Sequence, residues 1–163
     1  MAEAAVVIHT DGASKGNPGH ASIAYVIAGA DGQVIASHGR YIGKETNNVA
    51  EYTALVEALA AARDLGAAQV EAFSDSELMV KQVSGAYRVK NENLRPLYEK
   101  VVAGLRAFAS ATLTHVPREQ NREADKLAGA AIKAHLDAEK KAADEAGVEA
   151  AKATAKGAAP DPA

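Results

Sequence analysis

Apolar and polar positions divide the chain into segments with two different periods. Residues 4–11, 20–29 and 33–43 read as strands, and the first is apolar on both faces, as in the centre of a sheet. Asp31 and Gly32 form a hairpin turn signal between the second and third strands. These segments predict an antiparallel three-stranded meander.

The apolar period then becomes helical. Across residues 47–66, apolar residues recur at the spacing of one helix face, with Asn47 or Asn48 as N-cap and Gly66 just past the end. The same reasoning predicts three more helices: residues 76–85, residues 93–108 and a last helix with Asn121 as its N-cap.

Two short apolar runs complete the predicted sheet. Residues 69–74 and 110–116 each follow a helix, and a helix that connects strands of one sheet usually returns right-handed and parallel. The sequence therefore predicts an α/β fold with a five-stranded mixed sheet. Strands 1-2-3 form the antiparallel meander, strands 4 and 5 run parallel to strand 1, and helices cover both faces.

The composition changes near residue 134. Twelve of the last 30 residues are Ala, and the large aliphatic residues there are Leu136 and Val148. Such a segment buries too little apolar surface to offset its ordering entropy. We predict a folded domain over residues 1–133 and a tail over residues 134–163, helical at first and disordered beyond Gly147.

Composition narrows the class of protein. The chain has 163 residues and no cysteine, which suits a single domain and excludes disulfides and thiolate metal sites. Its start has no basic region before the short apolar run, and no apolar run approaches the length of a membrane span. We therefore expect a cytoplasmic protein that does not associate with membranes.

The net charge of −3 argues against a strongly basic nucleic-acid binder, but the charge is unevenly distributed. Residues 81–106 hold six basic residues against two acids. This run fits either a solvated helix face or a surface that follows phosphates.

Four acidic residues are predicted to meet at one edge of the sheet. Asp11 follows the first strand and Asp75 the fourth, so their carboxylates would lie side by side if those strands are parallel neighbours. Glu51 lies one helical turn before Leu55 and borders the buried helix face, and Asp125 lies in the first turn of the last helix.

Each acid alone also fits an ordinary structural role. Asp11 with Gly12 resembles a turn, Asp75 could cap a helix, Asp125 could complement the helix dipole, and Glu51 could lie on the surface. Four converging carboxylates, however, would repel one another without a cation. Mg²⁺ prefers such oxygen ligands, and two ions about 4 Å apart would activate a water and stabilise the leaving oxygen of a phosphodiester.

Five motifs in this order resemble ribonuclease H type 1: "TDGASKGNPG", "TNNVAEYTALVEAL", "SDSELMVKQV", "VKNENLRPLY" and "VPREQNREADKLA". The resemblance covers residues 4–133, about four-fifths of the chain. It implies an RNase H-like fold and a metal-dependent endonuclease that hydrolyses the RNA strand of RNA–DNA hybrids. Two Mg²⁺ ions, or Mn²⁺, would act with water as the nucleophile and give 5′-phosphate and 3′-hydroxyl ends.

The resemblance also assigns residue roles. The acidic metal-binding and catalytic centre falls on Asp11, Glu51, Asp75 and Asp125, with Gly12 beside the metal. The implied substrate contacts are Gly12, Asn17, Thr46, Asn47, Asn48, Ser76 and Glu77, which would reach 2′-hydroxyls, base edges and a DNA-strand phosphate in a wide minor groove.

The chain departs from many family members in two places. The long basic, Trp-bearing protrusion is missing, and Lys81, Arg88 and Lys90 would partly replace it. The loop before the last Asp has no His, and Arg118 stands there as in archaeal-type members. Arg118 cannot act as a base but could hold the scissile phosphate or help product leave, whereas we expect His115 to be an ordinary strand-end residue.

Three other functions fit parts of the same sequence. A non-cleaving hybrid- or duplex-binding module of the same fold is the main alternative, although binding alone gains nothing from acids that face phosphate. A nucleotide-binding enzyme is disfavoured because residues 12–19 match neither common phosphate-binding glycine pattern. A junction resolvase would share the acids but not the Asn-rich contacts. We expect a monomer, and the sequence names no partner for the tail.

Overall fold

The computed structural model describes residues 4–158, with side chains to residue 147. Its strands are β1 (Ala5–Gly16), β2 (Gly19–Gly29), β3 (Val34–Glu45), β4 (Gln69–Ser74) and β5 (Ser110–His115). Its helices are α1 (Asn47–Asp64), α2 (Glu77–Val83), α3 (Arg95–Arg106) and α4 (Arg122–Ala158), and a short 3₁₀ turn spans Arg118–Gln120.

The five strands form one mixed sheet in the order β3-β2-β1-β4-β5. The β1, β4 and β5 strands are parallel, while β1 with β2 and β2 with β3 are antiparallel. This arrangement confirms the predicted topology. The two strands that follow helical connections extend the sheet on one side of β1: β4 pairs with β1, and β5 pairs with β4.

The central strand β1 is longer than predicted. It continues past Asp11 and stays paired with β2 as far as Gly16, which lies opposite Gly19. Its pairing with β4 stops earlier, at the pair Thr10 and Ser74. The prediction that Asp11 lies at the end of its strand is therefore wrong. Asp11 lies within β1 and is its first residue beyond the end of β4. The antiparallel partner keeps β1 extended after the parallel partner has ended.

Helices cover both faces of the sheet, as predicted. On one face α1 buries Leu55, together with Ile27 of β2, in the main core. On the other face, Ser22 Oγ donates a hydrogen bond to the Ala128 carbonyl of α4 at 2.6 Å. Because Ser22 and Ile27 are an odd number of residues apart in β2, their side chains project from opposite faces.

The N-terminus of α1 corrects the prediction that Asn47 or Asn48 is the cap. The cap is Thr46, which has extended backbone angles and whose hydroxyl accepts a hydrogen bond from the Val49 amide at 3.2 Å. Asn47 and Asn48 are already inside the first turn. At the other end, Gly66 adopts φ +82° just past the helix, as predicted.

Contacts divide the chain into two units, one ending at Ile132 and one beginning at Lys133. Within the second, the helical part of α4 extends to Ala158, past the Gly147 at which the sequence was expected to become disordered, because its Ala, Lys and Glu residues favour helix. The last five residues of the predicted disordered segment lie outside the described residues. Among the helices of residues 4–158, none is long and apolar enough to cross a membrane.

Candidate active site

Three of the four predicted acids form a tight cluster at the end of β4. One carboxylate oxygen from each of Asp11, Glu51 and Asp75 lies within 4.8 Å of the others. Asp11 and Glu51 are each only 4% exposed. The cluster joins β1, α1 and the turn between β4 and α2, as the topology argument predicted.

The close approach of α1 to β1 explains how a helical residue reaches the end of a strand. The Gly12 amide donates a hydrogen bond to Glu51 Oε1 at 2.6 Å. A Cβ atom at Gly12 would lie 2.2 Å from the Ala50 carbonyl carbon, closer than any real contact. Gly12 is therefore required by backbone packing, and the same packing brings the Glu51 carboxylate beside Asp11.

The fourth acid, Asp125, carries a basic partner. Arg118 Nη2 donates to Asp125 Oδ1 at 3.1 Å, and the Arg118 side chain is 76% exposed. Asp125 does not belong to the group of three carboxylates within 4.8 Å. It is nevertheless close enough to Asp11 to raise the pKa of that residue. Arg118, which the sequence placed only in a loop, thus lies at the edge of the acidic cluster.

Burial and mutual repulsion favour protons on the buried acids. Burial, followed by the charges of Asp75 and Asp125, raises the pKa of Asp11 to about 8, and Arg118 opposes the shift. Burial, followed by Asp11 and Asp75, raises the pKa of Glu51 well above its ordinary value, although the Gly12 amide opposes this. In the absence of a cation, the folded protein therefore disfavours the fully charged cluster.

The donor set of this cluster fits a divalent cation. It offers carboxylate oxygens, which hard divalent ions prefer, and no sulfur or imidazole among the three clustered side chains. A bound cation would also remove the repulsion that raises the pKa values of Asp11 and Glu51.

A cavity of about 530 Å³ opens over the cluster. The predicted catalytic residues all line it, and so do four predicted substrate contacts: Gly12, Asn47, Ser76 and Glu77. Three further residues, for which the sequence predicted no role, also line this cavity: Ala13, Ser14 and Leu78. Nothing in their local pattern distinguishes them from neighbouring positions.

Three other predicted contacts lie outside the cavity wall. Asn17 Oδ1 accepts a hydrogen bond from the Asn47 amide at 3.1 Å, which ties the β1–β2 turn to the start of α1. Thr46 uses its hydroxyl to cap the same helix. Asn48 is half-buried in that first turn. These residues shape the rim of the site, and their contact with substrate stays a prediction.

The two predicted basic contacts lie on a neighbouring surface. Lys81 Nζ lies 5.1 Å from the centre of the Tyr87 ring and 3.8 Å from Glu77 Oε2. Lys90 lines a second cavity with Tyr87, Arg88 and Leu78, and Leu78 also lines the acidic cavity. The basic surface therefore borders the acidic cavity.

Asn121 was predicted only as a helix cap, but its side chain connects the start of α4 to β1. It is 1% exposed, and its Nδ2 donates to the Thr10 carbonyl at 2.7 Å. No local signal in the sequence indicates this bond, because its partners are 111 residues apart. His115, by contrast, lies at the end of β5, as expected.

A mixed five-stranded sheet that carries buried acids where its central parallel strands end defines the class of ribonuclease H-like proteins. The sequence profile of the family described as "Reverse transcriptase-like" matches residues 9–131. Ribonuclease HI of Halobacterium salinarum is 43% identical over 122 residues, which cover 75% of this chain and 61% of that protein. The chain thus spans less than two thirds of this curated relative.

Solved structures of other proteins resemble this chain in both fold and sequence. The N-terminal RNase H domain of a Mycobacterium tuberculosis protein is 40% identical, covers 83% of this chain and 99% of its own, and superimposes with a TM-score of 0.80. LC11-RNase H1, solved in complex with an RNA/DNA hybrid, is 38% identical, covers 80% and 99% of the two chains, and has a TM-score of 0.76. The chain belongs to the reverse transcriptase-like family and, within it, to ribonuclease H type 1.

Proposed function

We propose that this protein is an endoribonuclease that hydrolyses the RNA strand of RNA–DNA hybrids and leaves 5′-phosphate and 3′-hydroxyl ends. The observation that carries the proposal is the cluster of Asp11, Glu51 and Asp75 within 4.8 Å, with the ion pair of Arg118 and Asp125 beside it. Family membership supports the same reaction, and a 38% identical relative has been solved with an RNA/DNA hybrid.

Asp11, Glu51 and Asp75 would hold a divalent cation, with Asp125 and the backbone of Gly12 beside them. When two Mg²⁺ ions are bound, with Mn²⁺ as an alternative, they would supply an activated water and stabilise the charge of the leaving oxygen. The chain's own contribution is a rigid set of ligands. The hydrogen bond from the Gly12 amide fixes the Glu51 carboxylate in one orientation.

The cavity rim would bind the minor groove of the hybrid. Asn47 is exposed at the start of α1, and Asn17 Oδ1 accepts a hydrogen bond from the Asn47 backbone amide, so the Asn17 side chain is held against the start of this helix. Ser76 caps α2 beside Asp75, which places the first turn of that helix at the rim. Amide and hydroxyl groups of this kind can recognise 2′-hydroxyls and base edges in a shallow groove.

The basic surface that contains Lys81 and Lys90 would follow the phosphates of the second strand. It borders the acidic cavity through Leu78, so one nucleic-acid duplex can contact both. Arg118 is exposed and already faces Asp125, and we assign it to the scissile phosphate or to the release of product. A monomeric state and a cytoplasmic location belong to the same proposal.

The experiment is cleavage of four labelled duplexes or strands with and without Mg²⁺: an RNA–DNA hybrid, double-stranded RNA, double-stranded DNA and single-stranded RNA. We expect Mg²⁺-dependent cleavage of the hybrid RNA strand, with 5′-phosphate ends that a phosphate-dependent exonuclease degrades. An Asp75→Asn variant controls for a contaminating nuclease. Hybrid binding without metal-dependent cleavage would instead indicate a binding module, and cleavage of double-stranded DNA would overturn the substrate assignment.

A further inference from the structure

One buried side chain joins the two segments that carry Asp11 and Asp125. Asn121 Nδ2 donates to the carbonyl of Thr10, the residue before Asp11, at 2.7 Å. Asp125 follows one helical turn after Asn121, and its amide donates to the Asn121 carbonyl at 3.1 Å. The side-chain bond therefore connects β1 to the first turn of α4 directly beside two of the four acids.

Asn121 occupies the position directly before α4, as predicted, but its side chain does not cap that helix. A capping Asn accepts a hydrogen bond through its side-chain oxygen from an amide in the first helical turn. Asn121 Oδ1 is buried and accepts no hydrogen bond from the part of the chain that the structure describes. The side-chain amide of Asn121 is therefore held by the hydrogen bond that its Nδ2 donates, and the carbonyl that accepts this bond is on β1 and not on α4.

The same residue also orders the turn that carries Arg118. The Asn121 amide donates to the Arg118 carbonyl at 2.9 Å, which closes the 3₁₀ turn before α4. Arg118 and Asp125 thus lie on opposite sides of Asn121 in sequence, and both depend on where Asn121 is anchored. The ion pair between them lies at the edge of the acidic cluster.

We propose that Asn121 is a positioning residue: its bond to the Thr10 carbonyl holds Asp125 and Arg118 in register with the buried acids. Its action on turnover rests on the proposed function. Its action on geometry does not, because the position of Asp125 relative to Asp11 can be measured without nucleic acid. A displacement of about 1 Å at a reacting centre can cost roughly 100-fold in rate, so a small shift of α4 has a measurable effect.

The fold offers a matched control for the loss of one buried hydrogen bond. Ser22 is completely buried, and its hydroxyl donates to the Ala128 carbonyl of the same helix at 2.6 Å. Ser22→Ala removes a bond between the sheet and α4 without touching the first turn. Asn121→Ser keeps a side chain that can cap a helix but is too short to reach Thr10.

The test compares the full chain with Asn121→Ser and Ser22→Ala. Paramagnetic broadening by Mn²⁺ of the Asp125 amide signal, with the Gly12 amide as an internal reference, measures the position of Asp125 without substrate. Steady-state cleavage of a hybrid gives kcat and KM, and thermal unfolding gives Tm. For Asn121→Ser we expect weaker broadening at Asp125 but not at Gly12, and a kcat about 10- to 100-fold lower with KM within about twofold.

For Ser22→Ala we expect unchanged broadening and an unchanged kcat. Its Tm should fall by about as much as the Tm of Asn121→Ser, because each variant loses one buried hydrogen bond. Equal effects of the two variants on kcat and broadening would overturn the proposal, as would an Asn121→Ser protein with wild-type values. If Asn121→Ser fails to fold, Asn121→Asp replaces it, because it keeps the size but places an acceptor against the Thr10 carbonyl. If the wild-type protein cleaves no hybrid but Asn121→Ser still weakens the broadening at Asp125, the positioning role is supported and the proposed function is refuted.

Discussion

Arg118 donates from Nη2 to Asp125 Oδ1 at 3.1 Å, so the acid outside the tight cluster is paired with a cation from its own chain. The pair lies outside the triad of Asp11, Glu51 and Asp75 but is close enough for the Arg118 charge to oppose the rise in the pKa of Asp11. Because the guanidinium is permanently charged and can turn towards solvent, it is available to an incoming phosphate. Arg118 therefore connects the acidic cluster to the substrate side of the cavity.

Replacing Arg118 by Ala is expected to slow turnover more than it weakens substrate binding. We expect kcat to fall about 10-fold, the loss of roughly 1.4 kcal/mol of transition-state stabilisation, with KM changed less than threefold. Steady-state kinetics on a labelled hybrid measure both values. Arg122→Ala, which removes an exposed basic residue at the start of α4, is the control. A rise in KM at constant kcat would instead make Arg118 a phosphate clamp.

Removing one acid of the triad formed by Asp11, Glu51 and Asp75 should abolish most of the activity. Asp11→Asn or Asp75→Asn each takes a charged ligand from the triad, and we expect kcat to fall by at least ~100-fold. Cleavage at saturating Mg²⁺ and circular dichroism test activity and folding together. Asp137→Asn, which removes an exposed acid paired with Lys133, should be neutral. Near wild-type turnover in either triad variant would falsify the metal-ligand assignment.

The metal-free protein should become less stable as the pH rises. The unfolded chain releases the Asp11 proton near 3.8, whereas the folded protein holds it up to a pKa of about 8. Since the folded state binds more protons between these values, the free energy of unfolding falls across that window and the full penalty is present above pH 8. Glu51 acts in the same direction.

Thermal unfolding of wild-type protein and Asp11→Asn in EDTA, at pH 5 and pH 8.5, tests this dependence. We expect the substitution to raise Tm by about 5 °C or more at pH 8.5 and by less at pH 5, since roughly 1 kcal/mol corresponds to a few degrees in a domain of this size. Adding Mg²⁺ should stabilise the wild type most at high pH. An increase in Tm that is the same at both pH values would contradict the account.

Truncation after Ala134 should leave cleavage largely intact. No side chain between residues 133 and 147 is buried, and the acids and Arg118 all lie before Ile132. We expect the specific activity of the shortened chain to stay within about twofold of that of the full chain. Its Tm should stay within a few degrees of the full-chain value. A large loss of activity in a truncated protein that still folds would give the tail a function. It would also set aside our division of the chain at residue 133.

Local sequence determined the elements and, through general rules of chain connection, the topology. The 3.6-residue spacing of apolar positions in α1, the turn residues after β1 and the strand residues 69–74 all depend on neighbours in sequence. The right-handed crossover rule then places β4 beside β1. Convergence of Asp11 and Asp75 follows from these facts alone.

Only the tertiary structure decided how the remaining groups are held. The bond from Gly12 to Glu51 joins residues 39 apart, and the bond from Asn121 to Thr10 joins residues 111 apart. Periodicity carries no information about such pairs, because it reports which face of an element is buried and not which atom it meets. The sequence therefore indicated which acids share a site. Packing of α1 and α4 on the sheet decided that Gly12 has no room for a side chain, that Arg118 pairs with Asp125 and that Asn121 anchors them.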